Sequence, residues 1–235
     1  MKVAVINFSG NVGKTTVAAN LLKPRMQDTP IYSIESLNSD ASADGVEVEK
    51  MRGRHYGELQ EQLMMRDTAI VDVGASNVEE FLKLMQQYSG SHEEFDYFLV
   101  PVVKEKKQLA DTVNTIRALS KIGIPRKKIR TVFNLVEVDD SVESEFAPIF
   151  GLAELEKSFT LIPNAVIHSN EVFDRLKEIG RSLSDVMFDP TDYRAKLREV
   201  TSQEEKEMCV KMVAIKRLAV TANSNLDDVF KAVFR

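Results

Sequence analysis

Cysteine and histidine are scarce in this chain of 235 residues, and their scarcity excludes several kinds of chemistry. A single cysteine, Cys209, cannot form an internal disulfide or a cage of thiolates around a metal. We therefore interpret Cys209 as a small apolar residue within a helix. The three histidines, His55, His92 and His168, lack the spacing of metal ligands, and we assign them no role.

Long apolar runs and an excess of positive charge are also absent. No run approaches the length that spans a bilayer, and the opening stretch 1–8 is interrupted too soon for a signal peptide. We therefore expect a protein without a membrane span that works in the reducing cytoplasm. The net charge of −5 gives no global reason to bind nucleic acid, so DNA contact would require a local basic surface.

The remaining composition is that of an ordinary folded domain. Hydrophobic residues make up 43% and charged residues 29%, and the length suffices for one large α/β domain or two small ones. Apolar, β-rich runs alternate with helical stretches, and the predicted strands are 3–6, 31–34, 69–73, 97–103, 129–135 and 159–162. This alternation predicts an α/β fold with a mostly parallel sheet and helices on both faces.

The pattern also divides the chain into two parts. Residues 1–188 carry the predicted sheet, and residues 189–235 are predicted to be C-terminal helices packed on the same domain. The segments 77–80 (Asn-Val-Glu-Glu) and 202–205 (Ser-Gln-Glu-Glu) resemble the capping boxes with which helices begin.

The most informative stretch follows the first predicted strand. It combines small residues with Gly-Lys-Thr-Thr and an apolar helical pattern, which is the context of a phosphate-binding loop. Glycines let the backbone bend so that loop N–H groups and the first helical turn point at one anion. Lys14 would contact the outer phosphates, and Thr15 would offer its hydroxyl to Mg²⁺. The residues predicted to bind nucleotide are Ser9, Gly10, Asn11, Val12, Gly13, Lys14, Thr15 and Thr16.

The match to the usual loop pattern is incomplete. The spacing of Gly, four residues and Gly-Lys-Ser/Thr would place the first glycine at position 8, which is Phe8. The alternative is a helix that begins with Gly-Lys-Thr-Thr and binds no ligand. The order of strand, loop and helix favours the phosphate loop.

Asp72 ends a predicted strand, which is the Walker B arrangement. Its carboxylate would hold Mg²⁺, often through water, opposite the Thr15 hydroxyl. Gly74 follows two residues later and allows the backbone to approach a γ-phosphate. We therefore predict Thr15 and Asp72 as the residues that serve the metal.

Acidic residues also follow the second predicted strand. Glu35 comes directly after it and Asp40 lies nearby, where either could orient an attacking water or bind the water shell of the metal. The alternative is a solvated acidic segment. Residues 39–54 have few large apolar side chains and are predicted to be a mobile loop beside the nucleotide. The predicted catalytic residues are Lys14, Glu35, Asp40 and Asp72.

Asn134 ends the fifth predicted strand. Its amide both donates and accepts, so it can read the edge of a purine, although an Asn is also an ordinary turn residue at a strand end. The residues themselves leave adenine and guanine open.

The basic residues also have two interpretations: they form either a solvated face or a surface that binds DNA. They form two clusters and recur along the C-terminal helices: Lys104, Lys106, Lys107, Arg126, Lys127, Lys128, Arg130, Arg194, Lys196, Arg198, Lys206, Lys211, Lys216 and Arg217.

Taken together, these motifs resemble the deviant Walker A ATPases of the ParA/MinD type. Residues 9–16 resemble their loop, which usually reads Lys-Gly-Gly-Val-Gly-Lys-Thr-Thr, and Asp72 matches their Walker B position. Residues 95–101 resemble their Asp-Tyr-x-Leu-Val-Pro strand, and residues 131–134 resemble the strand that ends in an adenine-contacting Asn. The resemblance also implies that Pro163 lies near the ribose and base.

Within this superfamily the chain looks most like plasmid StbB and the related TraL-type proteins, by its length, its Ser-Ile-Glu-Ser segment and its loop variant. One departure matters. The signature lysine, which in the family reaches across a nucleotide-sandwich dimer, is Ser9 here. Serine is neutral and short, so hydrolysis is either very slow or assisted by another basic residue. The second acidic motif, two Asp after the second strand, is replaced by the region of Glu35.

The resemblance implies a P-loop NTPase-type fold with ATP or ADP and Mg²⁺ as cofactors. It further implies an ATP-dependent homodimer and a plasmid-encoded DNA-binding partner, with DNA bound directly or through that partner. Two functions stay open: a weakly hydrolysing Mg-ATP switch in plasmid stability, segregation or positioning for conjugation, and a non-hydrolysing adaptor of the same machinery. A small-molecule kinase would need an arginine-rich lid, which is not evident.

Overall fold

The computed structural model describes residues 1–35, 49–51 and 55–235. Within these ranges, seven parallel strands form one sheet in the order β3-β2-β4-β1-β5-β6-β7. The strands are β1 (Lys2–Val5), β2 (Ile31–Ile34), β3 (Glu49–Met51), β4 (Ala69–Val73), β5 (Tyr97–Val102), β6 (Ile129–Val136) and β7 (Val166–His168).

Helices connect these strands and cover both faces of the sheet. The first, α1 (Lys14–Thr16), continues through a π-helical stretch (Val17–Leu22) and a 3-10 turn (Lys23–Arg25). The others are α2 (Tyr56–Met64), α3 (Val78–Gln87), α4 (Lys106–Lys121), α5 (Val142–Glu145), α6 (Ala147–Glu156), α7 (Val172–Ile179), α8 (Leu183–Phe188), α9 (Tyr193–Glu199) and α10 (Gln203–Phe234). No helix in the described ranges is both long and apolar enough to cross a bilayer.

Five of the six predicted strands form within one residue of their predicted bounds. The prediction of a strand at 159–162 is wrong, because this segment makes only an isolated bridge between Thr160 and Arg130. A turn at Pro163, closed by the bond from the Ala165 N–H to the Ile162 carbonyl, delays regular pairing until β7. Proline has no N–H to give to a ladder, which explains the interruption.

The predicted mobile loop at 39–54 also needs correction. Residues 49–51 form the short edge strand β3, which pairs with β2, while residues 39–48 and 52–54 lie outside the described residues. A three-residue polar edge strand has no apolar run by which a sequence pattern could identify it.

Helix starts follow the predicted positions but not the predicted bonds. Asn77 and Ser202 precede α3 and α10, yet neither side chain caps its helix. A capping box forms instead at α8, where Ser182 Oγ accepts from the Asp185 N–H at 3.1 Å and the Asp185 carboxylate accepts from the Ser182 N–H at 3.0 Å.

Two hydrophobic clusters lie on opposite faces of the sheet. One is rich in phenylalanine and packs α2, α3, α4 and α6 against the strands. The other joins Val3 and Val5 of β1 to one stripe of α10: Met212, Ile215, Ala219, Ala222, Leu226, Val229 and Val233. Burial on both faces explains why the central strands read as continuous apolar runs. Residues 189–235 therefore share a hydrophobic cluster with the sheet.

Polar side chains of α10 also bind the elements beneath it. Asn225 donates to the Val166 carbonyl at 2.8 Å and accepts from the His168 N–H at 3.0 Å, so it satisfies the open edge of β7. Arg25, the last residue of the 3-10 turn that continues the first helix, donates to the Asp227 carboxylate at 2.8 Å and to the Asn223 carbonyl at 3.0 Å. The last helix is thus attached both to the end of the first helix and to the edge strand.

Candidate functional site

A cavity of about 680 Å³ opens at the carboxyl ends of the strands. Ligands of open α/β sheets bind at this edge, because the loops there converge while helices cover the faces. Its walls come from the ends of β4 and β6, the loops after β1, β2, β4 and β7, and the helices α1 and α7. The wall residues are Gly10, Asn11, Gly13, Lys14, Thr15, Thr16, Glu35, Asp72, Gly74, Ala75, Asn134, Leu135, Ser169, Asn170, Glu171, Phe173, Asp174 and Lys177. The structure therefore brings most of the predicted site residues together.

The backbone of the loop after β1 is tightly bent. Asn11 and Gly13 have left-handed conformations, with φ of 57° and 83°. A Cβ at Gly13 would overlap the Asn134 amide, so only glycine fits both the conformation and the space. The N–H groups at the start of α1 have no partners within the helix, which suits them to an anion.

Lys14 is buried within this loop. Its ammonium donates to the Ser9 carbonyl at 2.6 Å. Burial lowers the pKa of Lys14, and the nearby Asp72 and Glu35 carboxylates oppose that shift. The loop thus holds a cation that lacks a full complement of solvent, an arrangement that would favour a polyphosphate.

Thr15 and Asp72 form the predicted pair across the loop and β4. The Thr15 hydroxyl donates to Asp72 Oδ2 at 2.7 Å, and Asp72 is buried. A hydroxyl and a carboxylate are hard oxygen ligands of the kind that Mg²⁺ prefers, so these two residues fit the ion. The described residues contain no group of three or more His, Cys, Asp or Glu side chains that could hold a metal. Phosphate and water would therefore supply the other ligands, as is usual for Mg²⁺.

Glu35 and Gly74 lie side by side at the ends of β2 and β4. The Gly74 N–H donates to the Ile34 carbonyl at 2.9 Å, and a Cβ at Gly74 would lie 2.9 Å from that same oxygen. Glu35 Oε2 is buried and has no hydrogen-bond partner among the described residues. Such a carboxylate oxygen, beside the cavity, has the acceptor capacity that a general base needs. Asp40 lies outside the described residues.

Asn134 makes a different contact from the predicted one. Its buried side-chain amide donates to the Val12 carbonyl at 3.0 Å, so it supports the phosphate loop from below. Base contact by Asn134 stays a prediction. Ser9 and Val12 are not among the cavity walls, and their carbonyls instead fix the Lys14 and Asn134 side chains.

Pro163 does not reach the cavity. It lies on the exposed turn before β7, and the residues that line the wall come after that strand. Nucleotide contact by Pro163 stays a prediction. The wall formed by residues 169–177 was missed because the last strand was assigned seven residues too early. The available signal was a β-branched pair at 166–167 followed by His-Ser-Asn.

Asn7 is a further residue of the site that the sequence did not predict. It is fully buried, donates to the Pro101 carbonyl at 2.9 Å and to the Thr112 hydroxyl at 2.8 Å, and accepts from the Ser9 N–H at 2.8 Å. It fixes the start of the loop to β5 and α4. The available signal was a polar side chain directly after an apolar strand. The side chain's partners in β5 and α4 lie about a hundred residues away, so the sequence pattern does not reveal them.

No protein-family model matches this chain, and no curated protein does so. Solved structures do match. The MinC:MinD cell division protein complex of Aquifex aeolicus matches at a TM-score of 0.56 and 13% identity, covering 92% of this chain and 95% of that one. The cell division ATPase MinD of Pyrococcus furiosus matches at 0.52 and 15%, covering 92% and 98%. The septum site-determining protein MinD of Pyrococcus horikoshii, complexed with Mg-ADP, matches at 0.51 and 15%, covering 90% and 93%.

Sequence identities this low are evidence for the fold alone. They show that the chain has the α/β fold of the P-loop NTPases, which confirms the fold expected from the sequence.

Proposed function

We propose that this chain binds Mg-ATP in the cavity and acts as a nucleotide-dependent switch of the ParA/MinD kind. The observation that carries the proposal is the Thr15–Asp72 bond of 2.7 Å beside the buried Lys14. Three groups from two chain segments meet there with the chemistry that a metal-bound polyphosphate requires.

The roles of the residues follow from their positions. Loop N–H groups and Lys14 would hold the β- and γ-phosphates, and Thr15 and Asp72 would hold the metal, which neutralises phosphate charge when bound. Glu35 would accept the proton of an attacking water. The Gly74 N–H now bonds the Ile34 carbonyl, so its turn toward a γ-phosphate would move the segment after β4. That movement would report the nucleotide state to the surface.

The nucleoside would occupy the wall after β7. Phe173 offers a ring for stacking, and the polar groups of Asn170, Glu171 and Asp174 can bond ribose hydroxyls. Adenine is favoured by the resemblance of residues 131–134 to an adenine-reading strand.

A second candidate, an adaptor that binds nucleotide but hardly hydrolyses it, is favoured by Ser9. The position of the family's trans-acting lysine holds a buried, neutral side chain whose carbonyl is bonded to Lys14. Under either reading we place the protein in plasmid stability, segregation or conjugation, near the StbB and TraL-type proteins. An ATP-dependent homodimer and a DNA-binding partner protein belong to the same proposal.

Calorimetric titration tests the site directly. Mg-ATP, Mg-ADP, Mg-GTP and Mg-GDP are titrated into the full chain, and adenine nucleotides are expected to bind more tightly. Lys14→Ala should weaken Mg-ATP binding by about 10- to 100-fold, because a charge-assisted hydrogen bond is worth about 1.5–3 kcal/mol. Lys121→Ala, at the exposed end of α4, is the matched control and should bind normally. Unchanged affinity of Lys14→Ala would show that the site is assigned to the wrong loop.

Single-turnover hydrolysis then separates the two candidates. Release of phosphate from bound ATP, with or without a candidate DNA-binding partner, supports the switch. Bound ATP that stays intact under both conditions supports the adaptor.

A further inference from the structure

A second concave surface lies between α9 and α10, and none of its residues lines the nucleotide cavity. We name it the arginine groove. Its volume is about 610 Å³, and Arg194, Arg198 and Arg217 line it together with apolar residues. We call the apolar lining residues Leu197, Val210 and Val213 the floor of the groove. Val210 is 56% exposed, which is high for a valine on a folded helix.

The groove is held open by polar contacts around the start of α9. The Asp189 carboxylate accepts from the Tyr193 hydroxyl at 2.7 Å and from Arg181 at 2.9 Å. Lys216 of α10 donates to the carbonyls of Asp189 and Thr191 at 2.6 and 2.9 Å. A seven-residue helix is thereby fixed on α10, so a ligand would meet a preformed surface and lose little binding energy to ordering it.

The groove lining carries three positive charges, and Asp192 at the start of α9 offsets part of the charge of Arg194 and Arg198. None of its three guanidinium groups forms an ion pair with a residue that the structure describes, and no carboxylate lines the groove. By contrast, Arg25, Arg117, Arg175 and Arg181 each contact a carboxylate. The chain as a whole carries a net charge of −5, so the charge of this surface is opposite in sign to the net charge.

We propose that the arginine groove docks an acidic amphipathic helix of a partner protein. Apolar side chains of that helix would cover the floor, and its carboxylates would pair with the arginines, which can bond them in a bidentate way. Because α9 is about 10 Å long, the groove would hold about two turns of the partner. This proposal does not depend on nucleotide binding.

Two other anionic partners fit the groove less well. A nucleic-acid backbone has no apolar side chains to cover Leu197, Val210 and Val213, and the net negative charge of the chain opposes it. A bilayer surface is flat, whereas these apolar residues line a concave surface between two helices.

The test uses defined probes with the full chain. A labelled helical peptide with a leucine stripe flanked by glutamates, and a twin with lysines at the same positions, are titrated by fluorescence anisotropy. The glutamate peptide should bind, and Arg194→Glu with Arg198→Glu should weaken it about tenfold or more. The same double variant should gain binding of the lysine peptide. The matched control, Arg126→Glu with Lys127→Glu, changes net charge equally on an exposed cluster before β6 and should leave binding unchanged.

A third variant, Val213→Asp, tests the floor and should also weaken binding of the glutamate peptide. Circular dichroism should show that this variant keeps an intact fold. The proposal is overturned if the glutamate peptide does not bind, or if it binds the groove variant and the control variant equally. It is also overturned if duplex DNA or anionic vesicles bind the natural chain and lose that binding only in the groove variant, while peptide binding does not change.

Discussion

At the scale of single residues, the phosphate loop depends on a few backbone and polar constraints. Gly13 has a left-handed backbone with Asn134 against it, and Asn7 bonds the loop from the other side. Lys14 is buried and donates to the Ser9 carbonyl. Each residue is specified by its contacts inside the loop, which is why small changes here should have large effects.

Two glycines of the loop provide a matched stability test. Gly13→Ala should destabilise the protein by more than about 2 kcal/mol, since it combines left-handed strain with overlap on Asn134. Gly10→Ala should be tolerated, because nothing lies within 4 Å of a Cβ at that position. Chemical denaturation measures both. Equal stability of the two variants would mean that the loop has another conformation in solution.

The lowered pKa of Lys14 predicts how the stability of the protein and its affinity for Mg-ATP change with pH. Between that pKa and the ordinary lysine pKa, Lys14 is neutral in the folded state and protonated in the unfolded state. Stability of the ligand-free protein should therefore rise with pH across this alkaline window, because the unfolded state binds more protons. Affinity for Mg-ATP should fall across the same window, since binding then requires proton uptake.

Denaturation and calorimetry at a series of alkaline pH values measure the two trends. Lys14→Met is the control, and its stability should lack this rise. A wild-type stability curve that matches that of Lys14→Met would contradict the assignment of the shift to Lys14.

At the scale of elements, α10 does more than cover the sheet. Its side chains at Asn223, Asn225 and Asp227 bind the end of the first helix and the edge of β7 within little more than one helical turn. Arg25 is central, since it also donates to the carbonyls of Asn20 and Leu21 in the π-helical stretch. These contacts hold two elements from which the walls of the cavity extend.

Removal of Arg25 should therefore be costly. Arg25→Ala leaves Asp227 Oδ1 and the carbonyls of Asn20, Leu21 and Asn223 without this donor, and we expect a loss of about 2–4 kcal/mol in the free energy of unfolding. Lys231→Ala breaks only an exposed ion pair with Asp228 on the same helix and should change little. Urea titration with both variants measures the difference; a small effect of Arg25→Ala would show that α10 is held by its apolar stripe alone.

At the scale of the whole molecule, the question is how copies assemble. In our proposal the cavity binds nucleotide within one chain, and a second copy would meet it across the open side. Ser9 offers no charge to such a partner, and its backbone is instead bonded to Lys14 and Asn7. Assembly with ATP is therefore expected to be weak in the natural sequence.

Restoring the missing charge tests that expectation. Ser9→Lys should raise ATP-dependent dimerisation or turnover, as measured by light scattering after size exclusion and by phosphate release, because a lysine can neutralise phosphate charge. Ser9→Gln, a long neutral replacement, serves as the control for side-chain length. If Ser9→Lys and Ser9→Gln behave like the natural sequence, this protein works without a lysine supplied in trans.

The sequence by itself determined the α/β class, the bounds of β2 and β4, and the loop that holds Lys14 and Thr15. These features depend on local properties: apolar runs long enough to be buried on both faces, and glycines beside a lysine at a strand end. The tertiary structure alone decided the strands β3 and β7, the Asn7 bonds, the wall at 169–177 and the arginine groove. Those features depend on pairing between distant segments, such as Asn7 with Thr112 across 105 positions, and a short polar segment carries no sign of the partner that will satisfy it.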